Sequence, residues 1–133
     1  MGSKLQKVSF MFFEEMGFNE DEVKTIIMKY PVIWKRFYHA QGHQNMVSVF
    51  DLVHHDMSFS HQMIVNYPLI FTRRVRLIKT RHLYLQTLDR AQYDPCKPLY
   101  VPLSAFYLLD DATFCLKYAK TSVNDYNAFL KTL

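Results

Sequence analysis

The residues of this sequence that most suggest a metal site are six histidines and two cysteines. His39 and His43 are four residues apart, a spacing that would place two ligands on one helix face. Gly42 and its polar neighbours argue against a helix there. Neither Cys96 nor Cys115 has a partner at a metal-ligand spacing. Two cysteines 19 residues apart without a CxxC motif favour a reduced compartment. We therefore predict no metal site and no cofactor.

Catalytic patterns are scarce in this chain. Asp110 and Asp111 form a carboxylate pair, but a helix cap explains two adjacent aspartates better than acid–base chemistry does. The sequence holds no Gly-rich phosphate loop, nucleophile elbow or HExxH motif. The sequence therefore predicts a protein that is not an enzyme and has no small-molecule substrate.

Basic side chains are the strongest chemical signal. Residues 72–97 hold seven arginines and lysines against two aspartates, and the whole chain carries a formal charge of +4. Such asymmetry predicts a polyanionic partner, although a solvated helix face is the ordinary alternative. Paired bases also follow each of two proline turns. The predicted nucleic-acid-binding residues are Lys35, Arg36, Arg73, Arg74, Arg76, Lys79, Arg81, Arg90 and Lys97.

A repeat must position these bases. The segment 30–34 (YPVIW) returns 37 residues later as 67–71 (YPLIF), and upstream residues match at the same offset. Self-similarity at such a period is typical of stacked helical units that bury their apolar faces against each other. The sequence therefore predicts an all-α, helical-repeat solenoid.

Local signals mark the helices of the two units. Gly17 is placed to end a first helix, and Asn19 with Glu22 predicts a capping box for the second. Each second helix stops at a proline, followed by a short 3₁₀ turn over 31–34 in the first unit. In the second unit we expect the cap at Asp56 or Ser58, and we interpret 41–45 as the polar link between units.

The remainder of the chain breaks the repeat. A longer helix is predicted from about residue 73 to 88, with His82 in its apolar stripe and Arg74 and Arg81 turned toward that stripe, where they snorkel or pair with an acid. An irregular loop over 91–102 follows. Pro102, Asp110 and Ser122 should each open a short helix, which gives a C-terminal helical cap.

Targeting signals are absent from the sequence as it stands. No stretch reaches the roughly 18 uninterrupted apolar residues that a membrane span needs. The segment 1–3 (MGS) resembles a cloning remnant, and no targeting peptide follows it. We therefore expect a fragment of a longer protein, with any address signal outside it.

Paired helices, the corner 16–19 (MGFN) and the Tyr-Pro-x-Ile turns resemble repeats of the mitochondrial transcription termination factor (mTERF) family. The tail is more specific, because six segments look very like the C-terminus of one animal paralogue. That paralogue is associated with repression of mitochondrial transcription and with ribosome assembly. The segments are 81–83 (RHL), 90–95 (RAQYDP), 97–98 (KP), 114–115 (FC), 119–120 (AK) and 129–133 (FLKTL).

This resemblance implies a left-handed superhelix with a basic concave groove, in the mitochondrial matrix. It implies a partner that is double-stranded DNA or ribosomal RNA, without a membrane or a catalytic role. We expect one domain over 1–133, with repeat units at about 5–40 and 43–72 and a long helix and cap over 73–133. The alternative is a protein-interaction scaffold whose concave face docks a protein partner.

Overall fold

The structure, a computed structural model, describes residues 4–38 and 40–133, and it leaves out the side chains of 4–9, 34, 36–38 and 40. The described chain is helical, which confirms the all-α prediction, and it divides into two compact units, the first of which ends at Val75. The α-helices are α1 Lys4–Glu15, α2 Glu20–Lys29, α3 Ala40–Phe50, α4 His61–Asn66, α5 Val75–Thr87, α6 Asp111–Phe114 and α7 Val123–Leu130.

The corner between α1 and α2 follows the local sequence closely. Gly17 ends α1 with φ +92°, a left-handed conformation that glycine adopts without the penalty of a side chain. Asn19 then caps α2, since its side chain accepts a hydrogen bond from the Glu22 amide while Glu22 accepts one from the Asn19 amide. Both predictions, the helix end and the capping box, are confirmed.

The proline turns are equivalent in both copies of the repeat. The Ile33 amide donates to the Tyr30 carbonyl at 3.0 Å, and 37 residues on, the Ile70 amide donates to the Tyr67 carbonyl at 3.1 Å. Both isoleucines are fully buried. The 3₁₀ segments span Pro31–Tyr38 and Pro68–Thr72, so the first is longer than the turn predicted over 31–34.

The corner of the second copy is displaced by four residues. A π-helical segment, Asp51–Asp56, continues α3 by one turn, and the left-handed residue is Ser58 with φ 63°. The cap of α4 is Ser60, whose hydroxyl accepts from the Met63 amide. The predicted cap at Asp56 or Ser58 is therefore wrong. The predicted polar link over 41–45 is also wrong, because these residues lie in the first turns of α3.

Phenylalanines from both copies form the core of the N-terminal unit. The Phe13 ring meets the Phe71 ring edge to face at a centroid distance of 5.4 Å, and Phe18 lies 5.7 Å from Phe50. All four rings are buried. His61 joins this core, since its Nε2 donates to the Met16 carbonyl, the end of α1, at 2.8 Å. Aromatic packing thus joins the two copies into one unit.

Helix α5 is the central element of the C-terminal unit. Its apolar stripe includes the buried Ile78 and Leu85, and the buried His82 shares a hydrogen bond with the Tyr93 hydroxyl. His82 is therefore a satisfied core histidine, as predicted. Burial raises the pKa of the Tyr93 hydroxyl. Tyr84 likewise shares a hydrogen bond of 2.7 Å with the Thr121 hydroxyl.

Capping signals fix the last two helices. Asp110 accepts a hydrogen bond from the Thr113 amide at 2.7 Å. Hydrogen bonds from the side chain and the amide of Thr113 lower the pKa of the Asp110 carboxyl. Ser122 accepts from the Asp125 amide at 3.2 Å. Asp110 thus serves as a helix cap. The repeat boundaries and the superhelical stacking of the units stay predictions.

Candidate nucleic-acid interface

The exposed side of α5 is narrow and basic. Most of the helix surface is buried, so only a narrow row of side chains along α5 is exposed to solvent. The buried residues are 78, 80–82, 84 and 85. Arg76 and Lys79 lie three residues apart in that row and are both exposed. Within the described chain neither forms an ion pair with a carboxylate. Two cations of the predicted set are thus brought together by helix geometry.

Arg81 is in the same helix but has a different environment. It is 2% exposed, and its guanidinium donates to the carbonyls of Ala105 and Leu109, each at 2.7 Å, and to the Asp111 carboxylate at 3.1 Å. Its Cζ also lies 4.7 Å from the centre of the Phe114 ring. The prediction that Arg81 contacts nucleic acid is corrected, because a buried guanidinium bound to protein oxygens cannot reach a phosphate. The expected pairing with an acid is confirmed.

Arg73 and Arg74 lie just before α5 and are exposed. A side chain from α3 fixes their backbone. The Asn45 amide group donates to the Arg73 carbonyl at 2.6 Å, and its oxygen accepts from the Val75 amide at 3.0 Å. Asn45 therefore caps α5 from a distance of 30 residues along the chain, and it lies in the stretch predicted to be a link. Sequence reasoning missed this residue, since a remote cap leaves no local signal.

The charge at the start of α5 opposes what helix stability favours. No acidic residue occupies the first turn, which holds Arg76, and Arg73 and Arg74 precede that turn in the sequence. Cations at this end are unfavourable, each by up to about 1 kcal/mol at an exposed site. The combined potential of the dipole and the arginines suits an anion such as phosphate.

The first pair of bases is only partly described. Lys35 is exposed in the 3₁₀ segment after Pro31. The side chain of Arg36 lies outside the described residues, as does His39 of the metal interpretation. A nucleic-acid contact by Lys35 or Arg36 stays a prediction.

Two further predicted residues lie beyond α5 in the C-terminal unit. Arg90 is half-buried, and its amide donates to the Leu85 carbonyl at 2.8 Å, which closes the end of α5. Lys97 is exposed in the irregular loop. Gln92 holds that loop, because its side-chain nitrogen lies within 3.2 Å of the carbonyls of Asp94, Lys97 and Pro98. The loop is thus ordered by one glutamine rather than by its prolines alone.

The described residues show no metal-binding group of three or more histidine, cysteine or acidic side chains. Cys96 is exposed, Cys115 is buried, and both are free thiols. Burial raises the pKa of the Cys115 thiol. Across 4–38 and 40–133, none of the helices has the length and apolar character to cross a membrane.

Comparison with known proteins gives the family. The chain is 49% identical over 90 residues to the mouse (Mus musculus) and rat (Rattus norvegicus) proteins named transcription termination factor 3, mitochondrial. It is 32% identical over 128 residues, or 96% of its length, to the Drosophila melanogaster protein of that name. The chain belongs to the mTERF family. These relatives carry the name of the third animal member, the paralogue that the tail resembles. No family model matches the chain.

The chain covers only part of these mTERF relatives. The aligned residues are 68% of the chain but 22% of the mouse and rat proteins, and 35% of the Drosophila protein. The activity and partners of a whole mTERF protein are therefore matters of proposal for this chain.

Proposed function

We propose that this chain is a non-enzymatic module that binds double-stranded DNA or structured RNA, such as ribosomal RNA, through the phosphate backbone. The observation that carries the proposal is the exposed basic segment at the start of α5. Arg76 and Lys79 are exposed in the first turns of α5, and the exposed Arg73 and Arg74 precede that helix in the sequence. Cations at a helix N-terminus do not stabilise the helix. A segment that keeps such charge is suited to a polyanion.

Phosphate neutralisation is the mechanism. Arginine and lysine displace the counterions condensed on nucleic acid, and this release favours binding without reading the base sequence. Arg76 can add paired hydrogen bonds to one phosphate, because its guanidinium is planar and forked. Lys79, one helical turn away, offers a compact charge to a neighbouring phosphate. Arg90 and Lys97 are the further candidates in the C-terminal unit.

The names of the relatives support a mitochondrial role for this nucleic-acid binding. Proteins that share up to half of their aligned residues with this chain are named mitochondrial transcription termination factors. We therefore propose that the chain acts in the mitochondrial matrix, in repression of transcription and in ribosome assembly. The tail resemblance is the support for both roles.

The test is salt-dependent binding of the chain to a labelled DNA duplex and to an RNA hairpin, followed by fluorescence anisotropy. Replacing Arg76→Gln together with Lys79→Gln removes two exposed charges. We expect the slope of log affinity against log salt to become shallower by about 1 for each phosphate contact removed. Affinity for unrelated sequences should fall alike, because backbone contacts do not depend on sequence.

A matched control removes the same charge elsewhere. Lys29 ends α2 and Lys131 follows α7, and both are exposed. The Lys29→Gln, Lys131→Gln variant should leave the salt slope unchanged. Binding by the unmodified chain that does not respond to salt would contradict phosphate-led recognition. Equal effects of the two double variants would remove α5 from the interface.

A protein-interaction scaffold is the second candidate function. It is favoured by large apolar side chains left in solvent, among them Met28 at 71% and Leu116 at 76% exposure. A protein partner that the chain retains from mitochondrial extract after nuclease treatment would support the scaffold. Loss of every partner with nuclease would support nucleic-acid binding.

A further inference from the structure

A cleft of about 280 Å³ opens on the C-terminal unit. Three of its lining residues are cations, two are tyrosines, and one is an exposed leucine. None is acidic. The lining residues are Arg90, Leu99, Tyr100, Lys117, Tyr118 and Lys120. Only Arg90 belongs to the predicted nucleic-acid set, so Lys117 and Lys120 are cations whose placement sequence reasoning did not anticipate.

Within residues 76–133, all of which the structure describes, none of the three cations has a carboxylate partner. The ion pair of this range joins Arg81 to Asp111. Lys117 and Lys120 are exposed, whereas Arg90 is half-buried. Like charges around one cleft repel one another, and a cleft with low-dielectric walls concentrates their field. The cleft is therefore suited to an anion that all three can approach.

The backbone around this cleft is unusual. Four non-glycine residues of the described chain have positive φ, and the three in the C-terminal unit all belong to or adjoin the cleft. Leu99 and Lys120 line it with φ 62° and 60°, and Asp89 with φ 56° precedes Arg90. Lys120 is the left-handed cap of the π-helical segment Cys115–Ala119, and Asp89 lies in the turn that closes α5, so two helix ends place Lys120 and Arg90 at the cleft.

The tyrosines indicate what the anion is attached to. Tyr100 and Tyr118 are half-buried, so each presents part of a ring to the cleft. Lys117 Nζ lies 5.4 Å from the centre of the Tyr118 ring, which places charge and aromatic surface side by side. Nucleic-acid bases stack on such rings regardless of base type. The volume is just below the roughly 300–1,000 Å³ typical of small-molecule sites, enough for one nucleotide but not for a duplex.

We propose that this cleft binds a nucleoside 5′-monophosphate group, either free or as the phosphorylated end of a single strand. The phosphate lies among Arg90, Lys117 and Lys120, and the base lies against the tyrosine rings. This site is distinct in chemistry from backbone binding by α5, since it takes a single unpaired nucleotide. It stands whether or not the chain binds duplexes.

The test is a titration of the whole chain, followed by NMR chemical shifts, with adenosine 5′-monophosphate, adenosine and inorganic phosphate. We expect the nucleotide to bind about tenfold or more tightly than either half alone, because charge-assisted hydrogen bonds and stacking act together. The Lys117→Gln, Lys120→Asn variant should lose about tenfold in nucleotide affinity. Asparagine is chosen at 120 because it tolerates a left-handed backbone.

The Lys29→Gln, Lys131→Gln variant is the control for net charge, and it should bind the nucleotide as the unmodified chain does. Equal losses in both double variants, or phosphate binding as tight as nucleotide binding, would overturn the proposal. Titration with a trinucleotide, with and without a 5′-phosphate, distinguishes a free nucleotide from the phosphorylated end of a strand as the ligand. Tighter binding of the phosphorylated strand than of the free nucleotide assigns a strand end, and the reverse assigns a free nucleotide.

Discussion

The two units of this chain fix their helices by different means. The N-terminal unit packs phenylalanines from two copies of a repeat, with Phe13 against Phe71 and Phe18 against Phe50. The C-terminal unit instead surrounds a buried arginine, whose guanidinium joins α5 to the carbonyls of Ala105 and Leu109. Apolar packing is tolerant of small shifts, whereas a buried charge requires each of its partners in place.

The comparison also explains why charge has opposite roles within one helix. Arg76 and Arg81 are five residues apart in α5, yet one is exposed and the other is 2% exposed. A helix advances about 100° per residue, so five residues turn the side chain to the opposite face. The exposed arginine is available to a partner, and the buried one is structural.

The largest effect should come from Arg81→Met. This change removes the donor to the buried Ala105 carbonyl and to the half-buried Leu109 carbonyl, and it removes the partner of Asp111. We therefore expect a loss of about 3 kcal/mol in the free energy of unfolding. Urea denaturation measures the loss, and hydrogen exchange should place it in the C-terminal unit. Arg76→Met, on the exposed side of α5, should change stability by less than about 0.5 kcal/mol. Similar losses in the two variants would contradict the structural role of Arg81.

A smaller effect should follow Gly17→Ala in the N-terminal unit. The glycine has φ +92°, and an added Cβ would lie 3.0 Å from His61 Nε2, the group that donates to the Met16 carbonyl. We expect a loss of about 1–2 kcal/mol, mainly from the left-handed backbone. Gly42→Ala is the control, because Gly42 lies in α3, where alanine is favoured by up to about 1 kcal/mol. A Gly17→Ala variant as stable as the unmodified chain would show that this corner adapts.

The smallest effect should come from the cap of α4. A strict 37-residue repeat would place this cap at Asp56, whereas the displaced corner places it at Ser60. Ser60→Ala removes the hydroxyl that accepts from the Met63 amide, so thermal unfolding should show a loss of about 1 kcal/mol. Asp56 is the residue 37 positions beyond the Asn19 cap, and Asp56→Ala should have almost no effect. The opposite ranking would restore the strict register and contradict the extra turn after α3.

Features that depend on adjacent residues were predictable. Some residues act through their own backbone or through residues within one turn, so their effect can be inferred without the fold. They are Gly17, Asn19 with Glu22, Pro31 and Pro68. The repeat was also visible, because each copy needs the same apolar positions. Strict translation of the repeat failed at the second cap, since a π-helical turn shifts the corner while the proline turn stays in register.

The candidate sites were less predictable than the helices. The basic character of α5 follows from composition, and periodicity placed Arg76 and Lys79 on its exposed side. Three features depend on residues that are distant in the sequence. The burial of Arg81 and the cap from Asn45 rest on contacts between residues 24 to 30 positions apart. The cleft that Lys117 and Lys120 share with Arg90 requires two chain segments to come together. The sequence alone determined the corner after α1, the two proline turns and the net charge, because these depend on neighbours along the chain. Only the tertiary structure decided which cations meet solvent, because burial depends on what packs against each face.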